Sequence, residues 1–315
     1  MRQATEDELP LPSRRNISPR HAIGNRISVP ALVAQLIWGL NVATLKITIT
    51  QLDPFIVGFL RTFVAGLILL GILWRTEGAI GFKGYHWPRM LVVAFLGFGL
   101  NTSFWQLGLS LSTASDAALI SSSAPLFAIV LAVTLGQETL APRRVAGMLL
   151  ALIGVIVIIQ AGGVDTERSS LIGALFLLSS QVTWASYNVL AVPLLRHYSP
   201  LRITTWAMLL GSVVLVALSP LGVRSWDMTR GSLAAWGGLV YAILLGSVVA
   251  HSFWTRSVRN LGAGATMIYS YLSPVLAVGF AALLIGDRLD LAQGLGAVCV
   301  LAGVTLGVRR QSRAE

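Results

Sequence analysis

Apolar residues in this chain come in long runs, and the charges, Gly and Pro cluster in the short segments between them. The runs fall at 29–48, 55–74, 88–109, 114–135, 143–161, 169–190, 202–219, 233–255, 262–285 and 291–308. A helix needs about 20 apolar residues to cross the hydrocarbon core of a bilayer. The pattern therefore predicts an all-α integral membrane protein with ten transmembrane helices. Barrel strands would alternate apolar and polar residues, and these runs do not. Residues 1–28 are polar and carry Pro10, Pro12 and Pro19, which predicts a disordered tail. No short apolar run near Met1 reads as a cleavable signal, so the first run is expected to insert as a true helix.

Self-comparison of the chain shows a repeat. In one register Gln35, Trp38 and Pro54 align with Gln181, Trp184 and Pro200. In a slightly longer register Ser103-Phe104-Trp105 aligns with Ser252-Phe253-Trp254, Pro125 with Pro274, Glu138 with Asp287, and Gly147 and Gly154 with Gly296 and Gly303. The chain thus divides into residues 29–161 and 169–308, each with five predicted spans. An odd number of spans sends the second copy through the membrane upside down. Inverted repeats of this kind build many secondary transporters.

Composition agrees. Charged residues make up 11% of the chain and hydrophobic ones 55%, with a mean hydropathy of +0.75. A soluble domain carries roughly 25% charged residues. The net charge of +10 would suggest nucleic acid in a soluble protein; here it reads as anchoring charge on a membrane protein, with no nucleic-acid partner. Of the 23 Lys and Arg, all but Lys46, Arg61, Arg168, Arg224, Arg230 and Arg288 fall on the side of the N-terminus. The positive-inside rule then puts both termini, including the tail 309–315, in the cytoplasm. A bacterial inner membrane is the expected location. The lone Cys299 excludes an internal disulfide and a cysteine metal site. Neither an enzyme motif nor a metal-ligand cluster is present, so no catalytic residue, cofactor or metal is expected.

The ordered set of short motifs resembles an EamA-type transporter of the drug/metabolite transporter superfamily. The resemblance rests on Trp38-Gly39 with Lys46, Pro54 with Arg61, Ala117 to Pro125, Leu135-Gly136-Gln137-Glu138, and Gly147 with Gly154. The second half offers Trp184, Pro274, Ile285-Gly286-Asp287, Gly296 and Gly303. It departs from the pattern at Ala207, where an Arg would map, and at Asp287, where the family usually has Glu. The resemblance implies two inverted five-helix repeats, a central cavity and movement of small organic metabolites, with export of amino acids or related compounds common.

Buried amides and hydroxyls are costly in lipid unless paired, so those within spans should face the bundle interior. On this basis the candidate cavity residues are Gln35, Trp38, Asn41, Asn101, Trp105, Ser122, Gln181, Trp184, Tyr187, Asn188, His251, Trp254 and Tyr271. The competing reading makes the amides interhelical glue and the serines packing residues. His251, within a span, is a candidate proton carrier or a neutral hydrogen-bonding group. Lys46 and Arg61 suggest an electropositive outer vestibule or simple snorkelling. Glu138 and Asp287 suggest helix-start carboxylates or a gate. Pro125 and Pro274 are candidate hinges.

An interior of Trp, Tyr, Asn and Gln suits a small, weakly charged metabolite. An exchanger of sugar nucleotides or phosphorylated metabolites would need a basic midplane cluster, which is not found. A channel or a membrane scaffold is the alternative of another class. Expected partners are a small-molecule metabolite, the lipid bilayer and, for the His251 reading, protons; monomer and homodimer are both compatible.

Overall fold

The computed structural model describes residues 27–112, 117, 120–161, 171–218, 231–276, 280 and 291–308. Every regular element among them is helical. In chain order these are α1 (Val29–Ile49), α2 (Pro54–Glu77), α3 (Gly84–Leu111), α4 (Ala124–Thr134), α5 (Pro142–Ala161), α6 (Leu171–Leu195), α7 (Pro200–Leu218), α8 (Leu233–Leu261), α9 (Ala263–Met267) and α10 (Leu291–Val308). Of these, α2, α3, α6, α7 and α8 are long and apolar enough to cross a membrane. The protein is an all-α, multi-pass membrane protein.

Helix ends follow local chemistry. Asp53 accepts hydrogen bonds from the N–H groups of Phe55 (2.9 Å) and Ile56 (3.3 Å), satisfying donors that the first turn of α2 leaves free. Pro54 fills the first position, where no N–H is needed. The helix stops at Gly78, whose φ of +66° costs a glycine nothing and aims its N–H at the Trp74 carbonyl.

The closest helix pair joins the two halves. Gly147 lies against the carbonyl of Gly303, and Gly154 against that of Gly296. A Cβ on Gly147 or Gly154 would sit 2.6 Å from the facing oxygen. Because low numbers meet high ones, α5 and α10 run antiparallel. Gly147 aligns with Gly296 and Gly154 with Gly303, so the repeat relation exchanges the two contacts. Removing side chains here lets backbones touch, which is how helices gain dispersion energy in lipid.

Other pairs follow the same rule. In α2 and α7, Glu77 meets Arg202 while Gly66 meets Leu209, again antiparallel. Gly97 of α3 lies under Tyr187 of α6, and its repeat partner Gly246 of α8 lies under Asn41 of α1. Both α3 and α8 contain a π-helical turn, at Phe95–Leu100 and Ala242–Val249, just before the repeated Ser-Phe-Trp. A π turn inserts a residue and loosens the local backbone bonds. In α8 it presents the Gly246 carbonyl to side chains.

The fourth and ninth predicted spans differ from the expected kinked helices. Helix is interrupted at Ser122 and Ser123, and α4 starts again at Ala124. Pro125 therefore occupies the first turn of a new helix, where its missing N–H breaks no bond. In the second half, α9 passes into a 3-10 turn at Ile268–Tyr271, ahead of Pro274. Asp287 and most of the segment after Leu276 lie outside the described residues.

The glycine contacts predict an asymmetry in tolerance. Gly303→Val should destabilise the protein by about 1–3 kcal/mol or more through overpacking. Gly71→Ala, with open space beside it, should gain up to about 1 kcal/mol of helix propensity. Thermal unfolding in detergent checks both; an unchanged Tm for Gly303→Val would contradict the contact.

Candidate functional site

One cavity of about 270 Å³ lies among helices of both halves. From α1 it takes Gln35, Trp38, Asn41 and Leu45, each about one turn above the last. From α3 come Asn101, Trp105 and Leu109, and from α2 Arg61. Gln181 and Trp184 of α6 and His251 of α8 complete the second-half wall. Both helix breaks face it, through Ser121 and Ser122 on one side and Ser270, Ser273 and Pro274 on the other. Breaks of this kind expose polar groups where a bound molecule can use them.

The cavity ends on an aromatic floor. Trp38 and Trp184, aligned partners in the two halves, meet edge to face at 6.0 Å. The His251 ring lies 5.0 Å from Trp38 and 5.1 Å from Phe98. Its Nδ1 is 3.0 Å from the Gly246 carbonyl, which can only accept, so Nδ1 carries the proton. The same carbonyl accepts from Trp38 Nε1 at 2.9 Å. The π turn thus fixes two floor residues through one oxygen.

Four candidate residues, Tyr187, Asn188, Trp254 and Tyr271, do not line the cavity. They are buried elsewhere in the bundle, each at most 1% exposed, with Tyr187, Asn188 and Trp254 packed against the floor. Trp254 Nε1 donates to Asn188 Oδ1 at 2.7 Å, and Asn188 Nδ2 donates to the Trp184 carbonyl at 2.8 Å. Tyr187 stacks on Trp184 at 5.2 Å. Below them, at the N-terminal end, Ser28 N donates to the Tyr269 hydroxyl at 2.9 Å.

Wall amides are held by neighbours. Asn101 Nδ2 donates to the Ser180 carbonyl at 2.7 Å, Gln181 Nε2 to Ser180 Oγ at 2.8 Å, and Ser273 Oγ to Gln35 Oε1 at 2.5 Å. Cavity lining and interhelical bonding are therefore combined in the same residues. Ser270 and Ser273 were not among the sequence candidates. Ser270 aligns with Ser121, so the repeat register carried its signal; Ser273 has no such mark.

The gate and vestibule candidates scatter. Arg61 sits on the cavity wall, about two turns inside α2, not at the outer mouth. Lys46 lies on α1, its side chain outside the described residues. Glu138 pairs with Arg144 and accepts from Gly264 N at 2.9 Å, so it ties the end of α4 to the start of α9. Among the described residues there is no group of carboxylates, His and Cys that could hold a metal.

A helical membrane protein with a polar, aromatic cavity at the junction of two repeats belongs to the class of multi-pass membrane transporters, not enzymes. Comparison specifies the class further. The chain matches the EamA-like transporter family at residues 27–160 and 171–309, and it belongs to that family. An uncharacterized transporter of Archaeoglobus fulgidus is 26% identical over 280 residues, covering 89% of this chain and 96% of its own. A probable amino-acid metabolite efflux pump of Salmonella typhimurium is 24% identical over 293 residues, covering 88% and 93%. A solved crystal structure superposes with a TM-score of 0.76 at 18% identity, covering 90% of this chain and 97% of that one. That likeness shows a shared fold.

The buried layer makes a prediction that the cavity wall does not share. Asn188→Leu strands the Trp254 N–H and should cost about 1–3 kcal/mol. Trp105→Phe, on the cavity face with no hydrogen bond to lose, should leave stability within about 1 kcal/mol. Thermal unfolding in detergent separates them, and equal stability of Asn188→Leu and the parent would contradict the layer.

Proposed function

We propose that this protein is a secondary transporter that moves small organic metabolites, amino acids or related compounds, across a bacterial inner membrane by alternating access. The reading takes the chain as ten spans in two inverted five-helix repeats, with both termini cytoplasmic. Net movement is export, in keeping with the efflux function in the name of the Salmonella relative.

The observation that carries this is an asymmetry between aligned residues. Trp105 lines the cavity, while its repeat partner Trp254 is fully buried. Asn41 and Ser122 line it, while their partners Tyr187 and Tyr271 do not. Gln35 and Gln181, and Trp38 and Trp184, line it in both copies. An inverted repeat caught in one of two exchangeable states has this signature. Residues near the pseudo-two-fold axis stay alike, and those on the two sides differ. In the opposite state Trp254, Tyr187 and Tyr271 would face a cavity open to the cytoplasm and Trp105 would be covered. Pro125 and Pro274, beside the two breaks, are the hinges of that exchange. Glu138, with Arg144, holds α9 to the end of α4 and opens as a gate when they separate.

Size and charge favour a small cargo. Drug-sized sites run from about 300 to 1,000 Å³, and this cavity, at about 270 Å³, falls below that range. Its one lining cation, among the described residues, is Arg61. A sugar nucleotide wants more room and more positive charge. Proton coupling through His251 is a second reading, favoured by the bond from Nδ1 to Gly246, which leaves Nε2 to take a proton.

Proteoliposome counterflow tests the carrier mechanism. With a panel of radiolabelled amino acids and small organic acids, one or more should show saturable uptake that is stimulated by the same compound inside. Linear, non-saturating flux would support a channel and overturn the proposal. Absence of flux for every compound would favour a scaffold and also overturn it.

A further inference from the structure

Among the described residues, Arg61 has no counter-ion. Its Nε is completely buried and makes no hydrogen bond, and its side chain reaches the cavity. The described carboxylates near the helix ends are engaged elsewhere: Glu77 with Arg202, Glu138 with Arg144, and Asp53 on the start of α2. A buried charge left unpaired costs several kcal/mol. A guanidinium in that position has its five donors set to take a planar anion in a two-pronged grip. A second lining residue, Asn41, also has an unsatisfied buried atom, its Oδ1, which can only accept. Around these lie the flat apolar faces of Trp38, Trp105 and Trp184.

An anion receptor, a hydrogen-bond acceptor and aromatic walls in one small space describe their ligand by complement. It carries one carboxylate, one N–H or O–H donor and an apolar body. We propose that Arg61 is the anchor for the carboxylate of the transported molecule, with Asn41 receiving its ammonium or hydroxyl, so that the cargo is an α-amino or α-hydroxy acid. This rests on the transporter reading above and narrows it to one substrate class. It also gives the non-equivalence of the repeats a purpose. The second half has Ala207 at the aligned position, buried and apolar, so a single cation serves a single carboxylate. Two would suit a diacid or a phosphate.

The test uses the full chain purified in detergent, with intrinsic tryptophan fluorescence as the readout. The probes are the twenty common amino acids, lactate and phenyllactate, each compared with its carboxamide. At least one acid should bind saturably, and its amide should bind at least tenfold more weakly. Arg61→Gln should reduce affinity for the acid at least tenfold, down to that of the amide, and leave the amide unchanged. Arg61→Lys should restore part of the acid affinity. Without ligand, Arg61→Met should hold or raise Tm, because an uncompensated charge leaves the interior. A lower Tm would mark Arg61 as a structural tie and overturn the proposal. So would equal binding of acid and amide, an unaffected Arg61→Gln, or no binding by any acid. If counterflow succeeds with neutral or cationic compounds while the acids fail, the carrier stands and the Arg61 assignment falls. If nothing shows counterflow, the carrier reading itself falls.

Discussion

Lipid offers no hydrogen bonds, and this fold is organised around that constraint. Every polar group inside the membrane must find its partner within the protein. The backbone does so by forming helices. Side chains do so at the junction of the two halves, where Asn101, Gln181, Gln35 and Asn188 each bond to a neighbouring helix or to their own. Among the described residues a few buried side-chain atoms lack a partner, and two of them, Arg61 Nε and Asn41 Oδ1, belong to residues that line the cavity.

The same constraint shapes the places where helices are irregular. A break in a lipid-facing helix would expose bare N–H and C=O groups. The interruption at Ser122 and the 3-10 turn at Ile268–Tyr271 face the interior, and their serines line the cavity. The π turns of α3 and α8 do related work, and the Gly246 carbonyl holds both Trp38 and His251. Against these adjustable elements stands the glycine contact of α5 and α10, where backbones touch and no side chain can give way. Under the proposed alternating access, a rigid seam beside interrupted helices would let the two halves rock without separating.

Much of this was legible in the sequence, for identifiable reasons. Long apolar runs can mean little else than membrane helices. The aligned Trp38 and Trp184 and the glycines of α5 and α10 were visible because a repeat marks its own axis. The interior placement of Gln35, Asn101 and His251 followed from the cost of polar groups in lipid. What the pattern could not show was how the two copies differ. A repeat assigns Trp105 and Trp254 the same environment, whereas the structure puts one on the cavity wall and the other behind the floor. Periodicity locates Arg61 along α2 but not that, among the described residues, no carboxylate pairs with it. Nor could it foresee that Pro125 would begin a helix, because Pro costs most within a helix and nothing at its start.

Reciprocal motion about the cavity is the central claim, and pulsed electron–electron double resonance measures it most directly. Spin labels at Lys83 and Arg259 report on the N-terminal end, and labels at Thr50 and Leu171 on the opposite end; all four sites are exposed. On adding a compound that the protein transports, the account predicts that the first distance lengthens as the second shortens. Distances that stay fixed, or that change in the same sense, would contradict it.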